Sequence, residues 1–392
     1  MKHAGKKQLG INSLDTIEKD FRLVATKLNA NLVNKDAKVV LDALCQNIPW
    51  SLSNFWGLEI RLDDNNACSD ILFEIKKDAS VLPLLVESSN KSLIGNLIEH
   101  SNIWRGISQL AKSCMAEGHC FNRYIRNIWL EFDCAGVLAP QDKSFSNILH
   151  NPCVFIGPIE NKLNVEQEMQ LIAEFHKVFD VPFLAQKQAC LEKMIRCLPS
   201  QAKIFQVGLM LARPTRDLRF CISHLSKNDI FDWLTSVKWT GDYLKLKSLL
   251  SKLPSKLRML SLGVNITETG ISPRIGLECY MDWDKPMEQD WSMLFELIED
   301  QHVCKEAKRE GCLDFVGFSP YLNNKLKGRK FYHGLFTSIH HIKLSINENA
   351  LIDGAKGYLA CYRPELDFDK FVENYSTSSS TSSVGGKGEY IL

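Results

Sequence analysis

Apolar and polar residues alternate strictly in several short segments of the chain. In the first of them, Trp56, Leu58 and Ile60 alternate with Glu59 and Arg61. This period of two predicts strands that have one apolar face and one polar face. The same alternation recurs near residues 126–133, 218–225, 273–281, 338–346 and 354–362.

Helical segments precede each pair of strands, so the chain repeats a unit of two helices and two strands five times. Among these helices we expect a single long one near 91–115, and more than one helix near 287–310. An antiparallel sheet whose apolar faces are covered by helices can close into a barrel, and closure removes its exposed edges. The sequence therefore predicts an α+β fold in which five ααββ repeats form a ten-stranded antiparallel β-barrel with helices outside. Because about eight strands already make a barrel that side chains just fill, ten would leave a chamber lined by the polar faces.

The composition limits the possible functions. The 392 residues are 45% hydrophobic and 24% charged, with a formal net charge of +1. A protein with so small a net charge has no overall electrostatic attraction to nucleic acid or to an anionic membrane, so we expect neither as a partner. No apolar run approaches the roughly 20 residues of a membrane span, and the polar start lacks the core of a signal peptide. We therefore expect a cytoplasmic monomer.

The domain organisation follows from the same pattern. Residues 1–12 are expected to be a flexible N terminus, and residues 13–363 a single barrel domain. Residues 364–392 form a C-terminal segment in which Ser376–Ser383 is too low in complexity to pack, so disorder is expected from about residue 377.

The polar faces carry cations and tyrosines at alternate positions of several strands. Together with the five repeats, they make residues 13–362 resemble the ABBA prenyltransferases, and Lys356-x-Tyr358 resembles the Lys-x-Tyr strand signature of that family most closely. The resemblance is architectural, because the family has no single diagnostic motif. It implies an allylic diphosphate as co-substrate, with a dimethylallyl or geranyl group moved to an aromatic small-molecule or peptide acceptor inside the lumen. The residues that would hold the diphosphate are Arg61, Lys76, Arg219, Arg274, Tyr280, Lys343, Lys356, Tyr358 and Tyr362.

The chemistry explains why such residues are needed. Heterolysis of an allylic diphosphate develops negative charge on the leaving oxygens, which fixed cations and phenols stabilise most in the transition state. The allyl cation needs a dry aromatic surface, for which Trp129, Phe155 and Tyr358 are the candidates. The acceptor must lose a proton, and the resemblance assigns this base to Glu131, with Asp133 as the alternate. No protein-bound metal is predicted; magnesium is possible with the diphosphate but the sequence does not require it.

Other interpretations stay open. The polar faces also carry Glu59, Glu74 and Glu278, so the acids and the cations of the lumen nearly balance and can simply pair with each other. This balance favours a second hypothesis, a non-catalytic barrel that binds a peptide or a hydrophobic metabolite. The motifs of common hydrolases, P-loop proteins and dinucleotide-binding enzymes do not occur.

Three further expectations concern single features. Arg213 borders a turn and is expected to be solvated. Of the two histidines next to Lys343, only His341 is expected to share its face. The chain shows no obvious closing C-terminal helix, which favours an open mouth and a peptide acceptor.

Overall fold

Ten strands of the computed structural model close into an antiparallel barrel. The ring runs β1-β2-β3-β4-β5-β6-β7-β8-β12-β13, and β13 pairs back onto β1. The strands are β1 (Phe55–Arg61), β2 (Ser69–Lys76), β3 (Ile125–Phe132), β4 (Cys153–Pro158), β5 (Lys203–Leu209), β6 (Leu218–Ser223), β7 (Met259–Ile266), β8 (Ile271–Tyr280), β9 (Gly317–Pro320), β10 (Asn324–Leu326), β11 (Arg329–Phe331), β12 (Gly334–Ile346) and β13 (Gly354–Tyr362).

The structure describes most of the chain. The described residues are 16–86, 93–137, 139–213, 217–267, 270–282, 289–321, 324–326, 329–331, 334–347 and 351–363. The predicted flexible N terminus and the C-terminal segment lie outside them.

Helices cover the apolar faces of the strands. They are α1 (Glu18–Ala25), α2 (Lys35–Cys45), α3 (Leu93–His100), α4 (Asn102–Met115), α5 (Cys120–Tyr124), α6 (Lys143–His150), α7 (Val165–Val178), α8 (Ala185–Arg196), α9 (Lys227–Ser236), α10 (Tyr243–Lys252), α11 (Ser292–Asp300) and α12 (Glu306–Phe315), with short 3₁₀ turns at Trp50–Leu52 and Leu82–Leu85. On β1, the side chains of Trp56, Leu58 and Ile60 are fully buried. The ring of Trp56 lies 6.3 Å from that of Phe21 on α1. The predicted barrel of five ααββ repeats with helices outside is confirmed.

The local boundaries differ from those predicted. The segment near 91–115 is two helices, because Ser101 is extended and its side chain accepts a hydrogen bond from the Trp104 amide, which caps a new helix. The helices predicted near 287–310 are α11 and α12, and α12 extends a few residues further than predicted. Three pieces lie outside the repeat of two helices and two strands: α5 before β3, α6 between β3 and β4, and the short strands β9–β11 before β12. No helix in the described ranges has the length and apolar content needed to cross a bilayer.

Candidate active site

The polar faces of the strands surround a cavity of about 1560 Å³. Its lining reaches the barrel end formed by the starts of β3, β5 and β7, where Arg126, Lys203 and Arg258 lie. The deeper lining contains Glu131 and Glu278. A chamber of substrate size, lined by polar strand faces, is the arrangement that the alternation predicted.

Glu278 on β8 holds one set of polar groups in the lumen. Lys343 Nζ donates to its Oε1 at 2.9 Å, and Tyr280 OH and Ser261 Oγ donate to its Oε2 at 2.9 and 2.8 Å. Burial by itself would raise the pKa of Glu278, but the adjacent Lys343 ammonium holds this pKa well below its usual range. Glu278 is therefore a carboxylate at neutral pH, and it fixes both the lysine and the phenol.

Glu59 on β1 holds a second, similar set. Its two carboxylate oxygens accept hydrogen bonds from Lys356 Nζ and Tyr358 OH. Burial raises the pKa of Glu59, whereas Lys356 and Tyr358 outweigh burial and lower it to about 2. Because the pKa of Glu59 is lower in the folded protein than in the unfolded chain, its ionised form stabilises the fold above about pH 4.5. This contribution is lost as the pH falls toward 2. Tyr358 lines the cavity, whereas Glu59 and Lys356 are not among the lining residues.

A histidine lies between these two sets. The His341 ring stacks on Tyr358, with centroids 4.0 Å apart, and on Tyr280 at 4.7 Å. A β-bulge interrupts the pairing of β12 with β13 between Ile339 and His341, so that His340 is an extra residue. Both histidines consequently line the cavity, and their Nδ1 atoms are 2.7 Å apart. The expectation that only His341 lies on this face is wrong, because the bulge changes the phase of the alternation.

Glu131 on β3 lines the cavity and is 7% exposed. Burial, reinforced by the negative charge of Glu59, raises the pKa of Glu131 to about 7 although Arg213 opposes this shift. A carboxyl group with a pKa near neutrality can accept a proton and release it again.

Arg213 clamps Glu131 and Asp133 from the loop between β5 and β6. Its Nη2 donates to Glu131 Oε1 at 2.9 Å, and its Nε and Nη2 each donate to Asp133 at 3.0 Å. The expectation of a solvated Arg213 is therefore wrong. Asp133 is half-buried and is not among the lining residues. The clamp fixes the orientation of Glu131. No local pattern indicates it, because Arg213 and Asp133 are 80 residues apart in the chain.

Arg219 on β6 also lines the cavity, and its Nε donates to Asn265 Oδ1 at 3.0 Å. Unlike Lys343 and Lys356, it has no carboxylate partner among the residues that the structure describes. Its direct neighbour on β5 is Gly208, and the Phe155 ring occupies the space beside this glycine. Arg219 is thus a lumen cation that can bind an anionic ligand without first leaving a carboxylate.

Aromatic rings line the neighbouring wall. Trp129 on β3 and Phe155 on β4 are direct neighbours across the two strands, and both line the cavity. Phe55 on β1 packs edge-on against Trp129, with centroids 5.6 Å apart. The three aromatic residues predicted to shield a carbocation, Trp129, Phe155 and Tyr358, therefore share one chamber.

Five residues of the predicted diphosphate set are not among the lining residues: Arg61, Lys76, Arg274, Lys356 and Tyr362. Lys76 is exposed at the end of β2, and Arg61 lies 3.9 Å from Asp70. The exposed Arg274 pairs with Asp353 at 3.1 Å. Tyr362 stacks on Phe55 with centroids 6.2 Å apart. These residues do not lie on the cavity surface as predicted. The alternation along a strand fixes which face a residue is on, but not its position along the barrel axis.

The described residues contain no group of three or more His, Cys, Asp or Glu side chains that could hold a metal ion.

Comparison with family models and with curated proteins gives no match for this chain. Among solved structures, the chain is similar to the crystal structure of AnaPT from Neosartorya fischeri. The similarity covers 90% of this chain and 95% of that chain, with 10% sequence identity and a TM-score of 0.47. At this identity and score, the likeness assigns no role to any residue. The ring of ten strands with helices outside is itself the architecture that the family resemblance implied.

Proposed function

We propose that this protein transfers an allylic group, such as dimethylallyl or geranyl, from a diphosphate donor to an acceptor inside the barrel. The observation that carries this proposal is a buried carboxyl group of pKa about 7, Glu131, in the same chamber as Arg219 and the aromatic residues Trp129, Phe155 and Tyr358. Allylic transfer needs these three functions together: an anion site, a dry cation-stabilising surface and a base.

In this mechanism, Arg219 binds the diphosphate of the donor and Lys343 supports it. Tyr280 and Tyr358 keep their single hydroxyl protons on Glu278 and Glu59. A lysine ammonium has three N–H donors, so Lys343 keeps its bond to Glu278 and still has donors for an oxygen of the leaving group. The allylic C–O bond breaks, and its electron pair goes to the diphosphate. The residues outside the lining, which are Arg61, Lys76, Arg274, Lys356 and Tyr362, have no part in this step.

The second half of the reaction forms the new bond. The nucleophilic atom of the acceptor attacks the allyl cation, and the proton that it loses goes to Glu131. Arg213 orients the carboxyl group, because it binds Oε1 and Asp133 at once. Asp133 therefore acts as a positioning residue in this proposal rather than as the base.

The first test is a calorimetric titration with dimethylallyl and geranyl thiolodiphosphate, which are unreactive donor analogues, with and without Mg²⁺. We expect binding of at least one analogue, and we expect Arg219→Ala to weaken it by about 10- to 100-fold, since a hydrogen bond to a charged group contributes about 1.5–3 kcal/mol. The matched control is Arg274→Ala, whose side chain is exposed and lies outside the chamber. Equal losses in the two variants would contradict the placement of the diphosphate in the lumen.

A second candidate function, a non-catalytic binding barrel, is favoured by one observation. Glu278 and Glu59 neutralise Lys343 and Lys356, so the lumen has little net positive charge for a diphosphate. If neither analogue binds with or without Mg²⁺, this second function is preferred. If one binds, aromatic and peptide acceptors should be screened by mass spectrometry for a mass increase of the allylic group.

A further inference from the structure

Four adjacent strands place one carboxylate among three aromatic rings at the same height of the barrel. Phe55 pairs with Glu74, Glu74 with Trp129, and Trp129 with Phe155. All four residues line the cavity. We refer to Phe55, Glu74, Trp129 and Phe155 as the Glu74 wall.

Glu74 differs from the other glutamates of the barrel interior. Glu59, Glu131 and Glu278 each pair with a lysine or an arginine. Glu74 is 9% exposed, and no cationic side chain in the described part of the chain pairs with it. Its Oε1 accepts a hydrogen bond from Asn127 Nδ2 at 2.5 Å. A carboxylate that is buried without a cation is costly, so a cationic ligand would be stabilised here.

The side-chain oxygen of Asn127 is a second acceptor that receives no hydrogen bond from the described residues. Asn127 is 2% exposed and lines the cavity beside Glu74. The Glu74 wall and Asn127 therefore offer more acceptors than donors. Asn127 Oδ1 is buried against Gly157, so a ligand in the cavity reaches the Glu74 carboxylate rather than this oxygen. A ligand that supplies N–H donors and a positive charge would satisfy the carboxylate.

We propose that the Glu74 wall binds the protonated amine of a small aromatic amine. The ammonium contacts the carboxylate of Glu74, while the faces of Phe55, Trp129 and Phe155 contribute cation–π attraction and apolar contact. The aromatic amine is taken to be the acceptor of the allylic group, and this part of the assignment rests on the proposed function.

The height of the wall relative to Glu131 fits such an acceptor. On β3, Trp129 belongs to the Glu74 wall, and Glu131 follows two residues later. This spacing corresponds to about 6.7 Å along a strand. This separation is on the order of the length of an arylethylamine. An ammonium at Glu74 thus places the aromatic ring near Glu131, where the ring loses its proton. Arg219 holds the donor anion on β6, and Tyr358 remains for the allyl cation.

The test is a pair of calorimetric titrations at pH 7 without any donor. Tryptamine carries the ammonium, and tryptophol has the same indole-ethyl body with a neutral hydroxyl group. We expect wild-type protein to bind tryptamine at least tenfold more tightly than tryptophol. We expect Glu74→Gln to lose this preference, because the amide has no charge but still accepts the hydrogen bond from Asn127.

Controls separate the possible outcomes. Glu192→Gln changes an exposed carboxylate of α8 that pairs with Arg196, and it should retain the preference. Thermal unfolding shows whether Glu74→Gln is folded; if it is not, the wild-type comparison alone decides. Equal affinity for the two probes, no binding of either, or a preference that persists in Glu74→Gln overturns the assignment. These titrations contain no donor analogue. A negative result for Glu74 therefore does not decide the proposed function, which is tested separately by the binding of the thiolodiphosphates.

Discussion

Glu131→Gln is expected to lower the turnover of allylic transfer by about 10²- to 10⁴-fold while the donor analogue still binds. The range is that of a general base removed from its reaction. Glutamine has the same shape and still accepts the hydrogen bond from Arg213, but it cannot take up the proton that the acceptor loses. The measurement is steady-state turnover together with calorimetric titration of the thiolodiphosphate.

The pH dependence provides an independent test of the same residue. Burial and the charge of Glu59 raise the pKa of Glu131 to about 7, and the base must be deprotonated to work. Below this pH the carboxyl group is protonated, so kcat/KM is expected to fall as the pH decreases through about 7. In Glu131→Gln the remaining activity should no longer show this step.

Glu166→Gln is the matched control for this prediction. Glu166 is an exposed carboxylate that lies 3.5 Å from Arg196, far from the lumen lining, so turnover should stay at the wild-type level. A Glu131→Gln variant with wild-type turnover, or one that keeps the step near pH 7, would show that Glu131 is not the base.

Asp20→Ala is expected to cost about 3–5 kcal/mol in the free energy of unfolding. Asp20 on α1 is fully buried and joins three separate parts of the chain. Trp50 Nε1 and Tyr321 OH donate to its Oδ1 at 3.0 and 2.5 Å, and Arg363 Nε lies 3.3 Å from its Oδ2. Arg363 in turn stacks on the Trp50 ring at 3.6 Å. Alanine would leave the buried guanidinium without its counterion and two donors without their acceptor.

Urea unfolding measures this effect as a lower midpoint with an unchanged slope. The control is Glu18→Ala on the same helix. Glu18 pairs with Arg22 one turn away, and the Arg22 side chain is 65% exposed, so the change should stay within about 0.5 kcal/mol. A loss for Asp20→Ala no larger than that of the control would mean that this buried cluster does not stabilise the fold.

The strand faces follow from the sequence for a local reason. Side chains of a strand alternate with a period of two, so the placement of Glu131, Glu278 and Lys343 on the inner face needs no knowledge of distant residues. The possible pairing of acids with cations could also be stated in advance, because both types occupy the same faces. It is observed for Glu278 with Lys343 and for Glu59 with Lys356.

Other parts of the site depend on contacts that no local pattern contains. The bulge at His340 changes the phase of β12, and the clamp of Arg213 joins a loop to a strand 80 residues away. Arg274 has the right face by alternation, but its position along β8 places it beside Asp353 rather than on the cavity.

The repeat, the barrel class and the polar side of each strand follow from the amino-acid sequence, because they depend on residue spacing within single elements. Which polar residues meet depends on the packed barrel. Among the described residues, Glu74 lies beside aromatic rings with no cation paired to it, Arg219 has no carboxylate partner, and Glu131 is held by Arg213. The pairing register of all ten strands sets the position of each residue along the axis of a closed barrel. Two charged side chains can pair only when their positions along this axis are similar.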